Sequence, residues 1–412
     1  MQAVSRNNLA GLLHNLIINM QDRWLILFHP IQPPILHIKK NRFFMNILQS
    51  VETSFSSSYK EAQYKFLAAA KLNNLTIKRY KNPNLGALKE ELSCDTAWLG
   101  PMNAKQVLVA ISGTHGVEGF CGSGCQIDWI NSKNGQSSSK DTAVLFIHAI
   151  NPYGFSWCRR VTEEGCDLNR NFIDFSIPLP VNLGHDELVN CFVPYSLDQE
   201  TMDQAESQIK AYRALYGENE FQKARKSGQY KHSHSMFFGG FRPTWSRNTL
   251  ETIIDDYKLT NRDFVSVIDF HTGLGPFGYG EPISAHLPQT TGCDWVTRAY
   301  GQSVGVPELG TSSSIPLNGT SRDLWDRKLY DRYAYIALEY GTYSQERSRA
   351  ALREDHWLHN KGTVCWDAPE TQRIKQQIKT HYHPGSSDWL EMVLFRSRQI
   401  LRQANEALND MK

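Results

Sequence analysis

The sequence has no stretch of about 18 consecutive apolar residues, the length a membrane-spanning helix needs. The apolar pieces within residues 10–36, such as Leu12-Leu13 and Trp24 to Phe28, are broken by Asn, His, Gln, Asp and Arg, and Pro30, Pro33 and Pro34 follow. No charged, then apolar, then small-residue order marks a secretory leader either. Of the eight Cys, at 94, 121, 125, 158, 166, 191, 293 and 365, none forms a Cys-x-x-Cys pair. A chain of 412 residues does not need disulfide staples. Reduced thiols, mostly small buried side chains, are expected, and a cytoplasmic location is the default expectation. Neither sign of charge dominates: 44 basic residues face 42 acidic ones, for a net charge of +2. That balance argues against a nucleic-acid partner held through its phosphates and against a polybasic membrane patch. Internal repeats are also lacking.

What is present is ordinary globular material, 41% hydrophobic and 21% charged. Length alone allows two or three domains or one large α/β domain. A further Met stands at 45, just before the first helix-like segment. Residues 1–44 are therefore expected to lie outside a single folded domain spanning 45–412. Helices are expected over residues 57–73, 119–130 and 389–408, with a long surface helix over the charged, proline-free stretch 198–227. Val107 to Ile111, Ala143 to Ala149, Phe264 to Phe270 and Tyr335 to Tyr340 are compact apolar runs of the kind buried on both faces of a parallel sheet. Strands alternating with helices give an α/β fold with a largely parallel sheet. Ligands of such sheets bind at the carboxyl ends of the strands, where the polar motifs of this sequence stand.

The first motif is Thr114-His115-Gly116-Val117-Glu118-Gly119, in the turn after a strand. His115 and Glu118 can converge on one ion there, although a lone His in such a turn is more often a hydrogen-bonding group. The second is Asp269-Phe270-His271-Thr272-Gly273, with a His directly past a strand. Two His and one Glu form the ligand set of a hydrolytic zinc site. Asp269 stands either to orient a ligand or to cap a turn. The third runs from Asn151-Pro152-Tyr153-Gly154 through Arg159-Arg160 to Asp167-Leu168-Asn169-Arg170-Asn171-Phe172. A planar guanidinium suits bidentate capture of a carboxylate; Arg159 reads better as part of a solvated loop. The fourth is Ala337-Leu338-Glu339-Tyr340-Gly341. A Glu inside an apolar strand is costly unless it has a partner or a task, and near zinc that task is proton transfer.

Other features carry less. His232 and His234, like His381 and His383, alternate along the chain, so an extended segment would point each pair to opposite sides. Gly273 to Gly278 suits a pocket-lining loop. Ser112 and Ser123 lack a nucleophile-elbow pattern.

Taken in order, the four motifs resemble the zinc carboxypeptidase superfamily over about residues 60–400. Thr-His-Gly-Val-Glu-Gly-Phe-Cys-Gly-Ser-Gly and Asp-Phe-His-Thr-Gly-Leu-Gly look like a less characterised bacterial branch, one labelled a domain of unknown function. The resemblance implies a single-domain α/β fold with a mixed, mostly parallel, eight-stranded sheet between helices. It implies one Zn²⁺ on His115, Glu118 and His271. Arg160 would polarise the scissile carbonyl, Asn169 and Arg170 would hold a free substrate carboxylate, and Glu339 would be general base and then general acid. The expected partner is a peptide or N-acyl amino acid with a free carboxylate, with no nucleic acid and no membrane. One departure stands out: peptide-cutting members carry a mobile Tyr roughly 20 residues before the catalytic Glu, whereas Ile315 to Thr320 here holds none. Tyr330, Tyr333 and Tyr335 lie closer to Glu339. The departure leaves room for N-acyl-amino-acid deacylation, as in the aspartoacylase-like relatives. A non-catalytic binding protein on the same fold is the contrasting reading; a degenerate binder is expected to have lost Glu339 or Arg160, and both are here.

Overall fold

In the computed structural model, which describes residues 51, 53–132 and 140–411, the apolar runs form the centre of one mixed sheet. Its strands are β1 (Thr76–Leu85), β2 (Glu91–Leu99), β3 (Gln106–Ile111), β4 (Thr142–His148), β5 (Phe264–Phe277), β6 (Gly280–Ile283) and β7 (Tyr333–Gly341), in the order β1-β2-β4-β3-β5-β7-β6. β4, β3, β5 and β7 run parallel at the centre, and antiparallel pairings finish both edges. Every residue of β3 and β4 is buried, as the unbroken apolar runs require of strands covered on both faces. Successive side chains alternate between the faces. Leu108, Ala110, Val144 and Phe146 enter one core with Trp389, Val393 and Leu401 of the helix Ser387–Asn409. Val107, Val109, Ile111 and Leu145 enter a second with Ile253, Leu324 and Trp325. The described residues fall within one compact unit; the boundary expected at residue 44 lies outside them. Among the described residues no helix is long and apolar enough to cross a membrane, and all eight Cys are free.

Three expectations need correction. The sheet has seven strands among the described residues, not eight. Beside β6 the chain makes a single bridge, Ile283 to Gly305. Pro307 then opens a short turn, Pro307–Leu309, and with no N–H to donate it ends any ladder. Second, β5 does not stop at Phe270: it carries His271 inside the strand, in register with Glu339 of β7. Its ladder is interrupted only after Thr272, where Gly273 and Gly275 take positive φ. Third, the helix Gln199–Lys226 is not simply a surface helix. It buries Ala205, Ile209, Phe221 and Ala224 against a third core that includes Leu188, Leu352 and Ile378.

Arg159 is a fourth correction. It is not solvated but buried, and its Nε donates to Asp355 at 2.9 Å. Lys375, also buried, donates to the other Asp355 oxygen and contacts His359. The sequence hides this because Arg159 and Asp355 are 196 residues apart. The cluster fixes the turn that carries the next residue, Arg160. The backbone carbonyls of Arg159 and Arg160 accept from the amides of Val117 and Gly116. Gly116 is required there: a Cβ would lie 2.0 Å from the backbone of Gly154. Burial opposes charge on Asp355, but Lys375 and Arg159 outweigh it and hold the carboxyl well below its usual range.

Asp355→Asn is therefore expected to cost about 3–5 kcal/mol, because two cations lose their buried partner; urea unfolding at pH 7 measures it. Since the native pKa is depressed, the carboxylate's contribution is full above the unfolded value of about 4 and declines as the pH falls below it. The variant should lose that part of the acid-range slope. A cost within 0.5 kcal/mol, about the scatter of ordinary surface substitutions, would show the cluster to be incidental.

Candidate active site

Three strand ends supply the site. The turn after β3 carries His115, the N-cap of a short turn Gly116–Glu118. β5 carries Asp269 and His271, two residues apart and so on one face; β7 carries Tyr335 and Glu339 on the same face, in register with Val267 and His271. Glu118 is 1% exposed and draws these pieces together. One of its oxygens lies 2.9 Å from His115 Nδ1, the other 3.0 Å from His271 Nδ1. The two Nδ1 atoms are 3.1 Å apart, and the three ligand atoms form a group able to hold a metal ion. Tetrahedral bonds of 2.0–2.1 Å to zinc imply ligand separations of about 3.3 Å, close to this spacing. The donor set of two imidazoles and a carboxylate fits zinc chemically.

The outward nitrogens of both imidazoles face buried carboxylates, as ligating histidines commonly do. His115 Nε2 is 3.2 Å from Asp167, and His271 Nε2 lies 3.2 Å from Asp269 in an ion-pair contact. Asp269 is fully buried and accepts from Thr114, Ser321 and Tyr335. It lies beside the His271 ring, although its contact with Nε2 does not have hydrogen-bond geometry. Asp167 also accepts from Arg160 Nε at 3.0 Å and from the amide of Asn169. Burial opposes its charge, but Arg160 and His115 hold its carboxyl well below the usual range. Glu118 behaves alike, with His115 outweighing burial.

Arg160 donates from Nη1 to Glu118 at 3.1 Å, and its Nη2 is 2.7 Å from His115 Nε2. That nitrogen faces opposite demands. Protonated, it donates to Asp167; bare, it accepts from Arg160. Glu339 accepts from the amide of Leu274 at 3.0 Å. Burial, and then the Glu118 carboxylate, raise its carboxyl to about 8. Asn169 Oδ1 accepts from the amide of Ser321. Arg170 uses Nε and Nη2 on the carbonyl of Lys226 and Nη1 on that of Asn169, so it ties the end of the helix Gln199–Lys226 to the site.

All seven sequence-derived residues, His115, Glu118, Arg160, Asn169, Arg170, His271 and Glu339, line one cavity of about 270 Å³. Arg225, Lys226, Gln345 and Tyr382 line it as well, and sequence reasoning missed them. So too with Asp167 as a partner of His115, although it stands inside the Asp-Leu-Asn-Arg motif. A buried carboxylate beside a ligand was the signal available. Tyr335 is occupied with Asp269 and Ser321. His232 pairs with Asp186, and neither it nor His234 lines the cavity. His381 and His383 are buried apart from it too.

The architecture and the cluster define an α/β protein with a His–Glu–His centre at the carboxyl ends of its parallel strands. Residues 55–396 match the model of the family described as protein of unknown function (DUF2817), and the chain belongs to that family. Comparison with curated proteins finds no match. Among solved structures, the chain is similar to carboxypeptidase A from Helicoverpa armigera (12% identity, 87% of this chain and 75% of that one, TM-score 0.44). It is similar to succinylglutamate desuccinylase from Vibrio parahaemolyticus (12% identity, 79% and 81%, TM-score 0.33). An aspartoacylase family protein from Mesorhizobium loti is similar at 14% identity over 65% of this chain and 61% of that one, TM-score 0.32.

If Asp269 orients His271 for a metal, Asp269→Asn should weaken zinc binding about 10- to 100-fold in a chain whose circular dichroism is unchanged. Competition against a chelator reads this out. Wild-type zinc affinity in the variant would rule the contact out as a ligand-orienting one.

Proposed function

We propose that this protein is a zinc-dependent hydrolase that cleaves an amide bond next to a free carboxylate, in the manner of a carboxypeptidase. The observation that carries the reading is the convergence on one cavity of two facing imidazole Nδ1 atoms, a buried Glu, a guanidinium and a separate buried carboxyl. His115, Glu118 and His271 would hold one Zn²⁺. When bound, the ion supplies a Lewis acid and acidifies a water molecule.

The remaining chemistry belongs to the chain's own side chains. Glu339 takes a proton from the attacking water and delivers it to the leaving nitrogen. A carboxyl raised toward neutral pH is suited to both halves of that transfer. A metal held on His115 Nδ1 would leave Nε2 protonated and donating to Asp167. Arg160 Nη2 would then be free for a substrate oxygen, where it would stabilise the developing negative charge. Asn169 and the two N–H groups that Arg170 does not give to backbone carbonyls hold the substrate carboxylate.

A second reading, removal of the acyl group from an N-acyl amino acid, is favoured by two observations. The cavity lies near the lower end of the roughly 300–1,000 Å³ typical of ligand pockets. Ile315 to Asn318 and Thr320 line it without contributing a tyrosine.

Glu339→Gln is expected to lower kcat by about 10²- to 10⁴-fold while the protein keeps about one zinc per chain. Metal analysis and a screen of C-terminal dipeptides and N-acyl amino acids measure both. Full turnover in the variant sinks the proton-transfer role. A zinc-loaded wild type inert on the whole screen favours a binding protein over an enzyme.

A further inference from the structure

One wall of the cavity carries positive charge with no carboxylate to meet it. Arg225 is 2% exposed; its Nη2 donates to Gln345 Oε1, a neutral acceptor, at 3.2 Å, and its Nε has no hydrogen-bond partner. Lys226 follows in the chain and lines the same cavity. Among the described residues its ammonium makes no hydrogen bond or ion pair, and no carboxylate lies within 4.0 Å of Arg225, Lys226 or Arg170. Four other largely buried guanidinium groups are paired with carboxylates, whereas Arg262 donates only to backbone carbonyls. Arg159 has Asp355, Arg160 has Asp167, and Arg349 and Arg353 share Glu206. A buried cation is costly unless it is paired. Burial lowers Arg225 to about 10 against Tyr382 and Glu346, and burial followed by Arg225 lowers Lys226 to about 8 against Glu339, the direction expected where burial outweighs nearby counter-charge.

The position of this wall is set by hydrogen bonds. Gln345, which holds Arg225, also donates to the carbonyl of Gly273 at 3.1 Å, two residues beyond His271. The next amide, that of Leu274, binds Glu339. An anion on Arg225 would therefore lie in the same cavity as the His–Glu–His cluster and Glu339. It would also be separate from the Asn169 side chain, which is tied to Ser321.

We propose that Arg225 and Lys226 form an anion subsite for a second acidic group, so that the pocket takes a ligand with two carboxylates. Calling that ligand a substrate rests on the hydrolase reading; the subsite itself does not. The guanidinium offers a fork to the carboxylate and the ammonium a point charge.

The test is calorimetry on the full-length Glu339→Gln chain, which removes turnover from the measurement. The probes are N-acetyl-L-glutamate and N-acetyl-L-glutamine, alike in size and different by one charge. Hydrogen bonds to charged groups imply a preference of about tenfold or more for the glutamate probe. In Lys226→Gln the preference should shrink several-fold while affinity for the glutamine probe stays the same. Arg225→Gln should do likewise; should that buried site fail to fold, Lys226→Gln, at a half-buried position, decides alone. Equal binding of the two probes, no binding of either, or a preference that survives Lys226→Gln overturns the subsite. Hydrolysis is assayed separately on the wild-type chain. A clear preference without hydrolysis upholds the subsite and counts against the hydrolase.

Discussion

A carboxylate removed from water must be surrounded by donors, and Glu118 is surrounded on every side. It meets His115 and His271 through its two oxygens, Arg160 through Nη1, and the amide of Thr272 at 3.0 Å. Those four groups come from the turn after β3, from β5, and from the loop fixed by Arg159. Glu118 thus requires β3 and β5 to be adjacent and parallel, and requires the Arg160 turn to be held against the Gly116 turn. The geometry around it is over-determined. Its neighbours are met in turn by Asp167, which accepts from Arg160 and the Asn169 amide, and by Asp269, which accepts from Thr114, Ser321 and Tyr335. A polar network of this kind is stable only when every member is satisfied. The two Nδ1 atoms facing each other at 3.1 Å beside the Glu118 carboxylate are where that network has room for a cation.

The parts of this arrangement that follow local rules were legible in the sequence. Unbroken apolar runs marked the central strands, and a polar residue at the carboxyl end of each marked the site. That reasoning reached His115, Glu118, His271 and Glu339 because their positions depend on strand period and strand ends. It failed where position depends on a partner far along the chain. Arg159 sits beside Arg160 and looks equally polar, but only Asp355 decides that it is buried. Arg225 and Lys226 end a helix whose composition reads as solvated; the third core and the Arg170 bond to the Lys226 carbonyl turn that end toward the cavity. The eighth strand was a matter of inheritance from a resemblance and had no apolar run of its own behind it.

Charge is sorted across the cavity. The cluster side holds Glu118, Asp167 and Asp269 against one guanidinium, and Glu339 lies close by. The opposite wall holds Arg170, Arg225 and Lys226 without a carboxylate. The two sets still feel each other, Asp167 acting on Arg170 and Glu339 on Lys226, but no ion pair joins them. Gly228 maintains the separation at one point: its φ of +93° brings the backbone against the Arg170 side chain, where a Cβ would lie 2.8 Å from Cδ.

Arg160 joins the two halves. It is paired with Asp167 and Glu118 on the cluster side, yet its Nη2 ends on an imidazole nitrogen whose proton decides whether it accepts. Any event that fixes Nδ1 of His115 as a ligand fixes the proton on Nε2 and hands that nitrogen to Asp167 alone. Arg160 keeps two carboxylate bonds and gains one free donor directed at the cavity. Under the proposed function, metal loading and readiness to stabilise charge on a substrate oxygen would be coupled through that one tautomer.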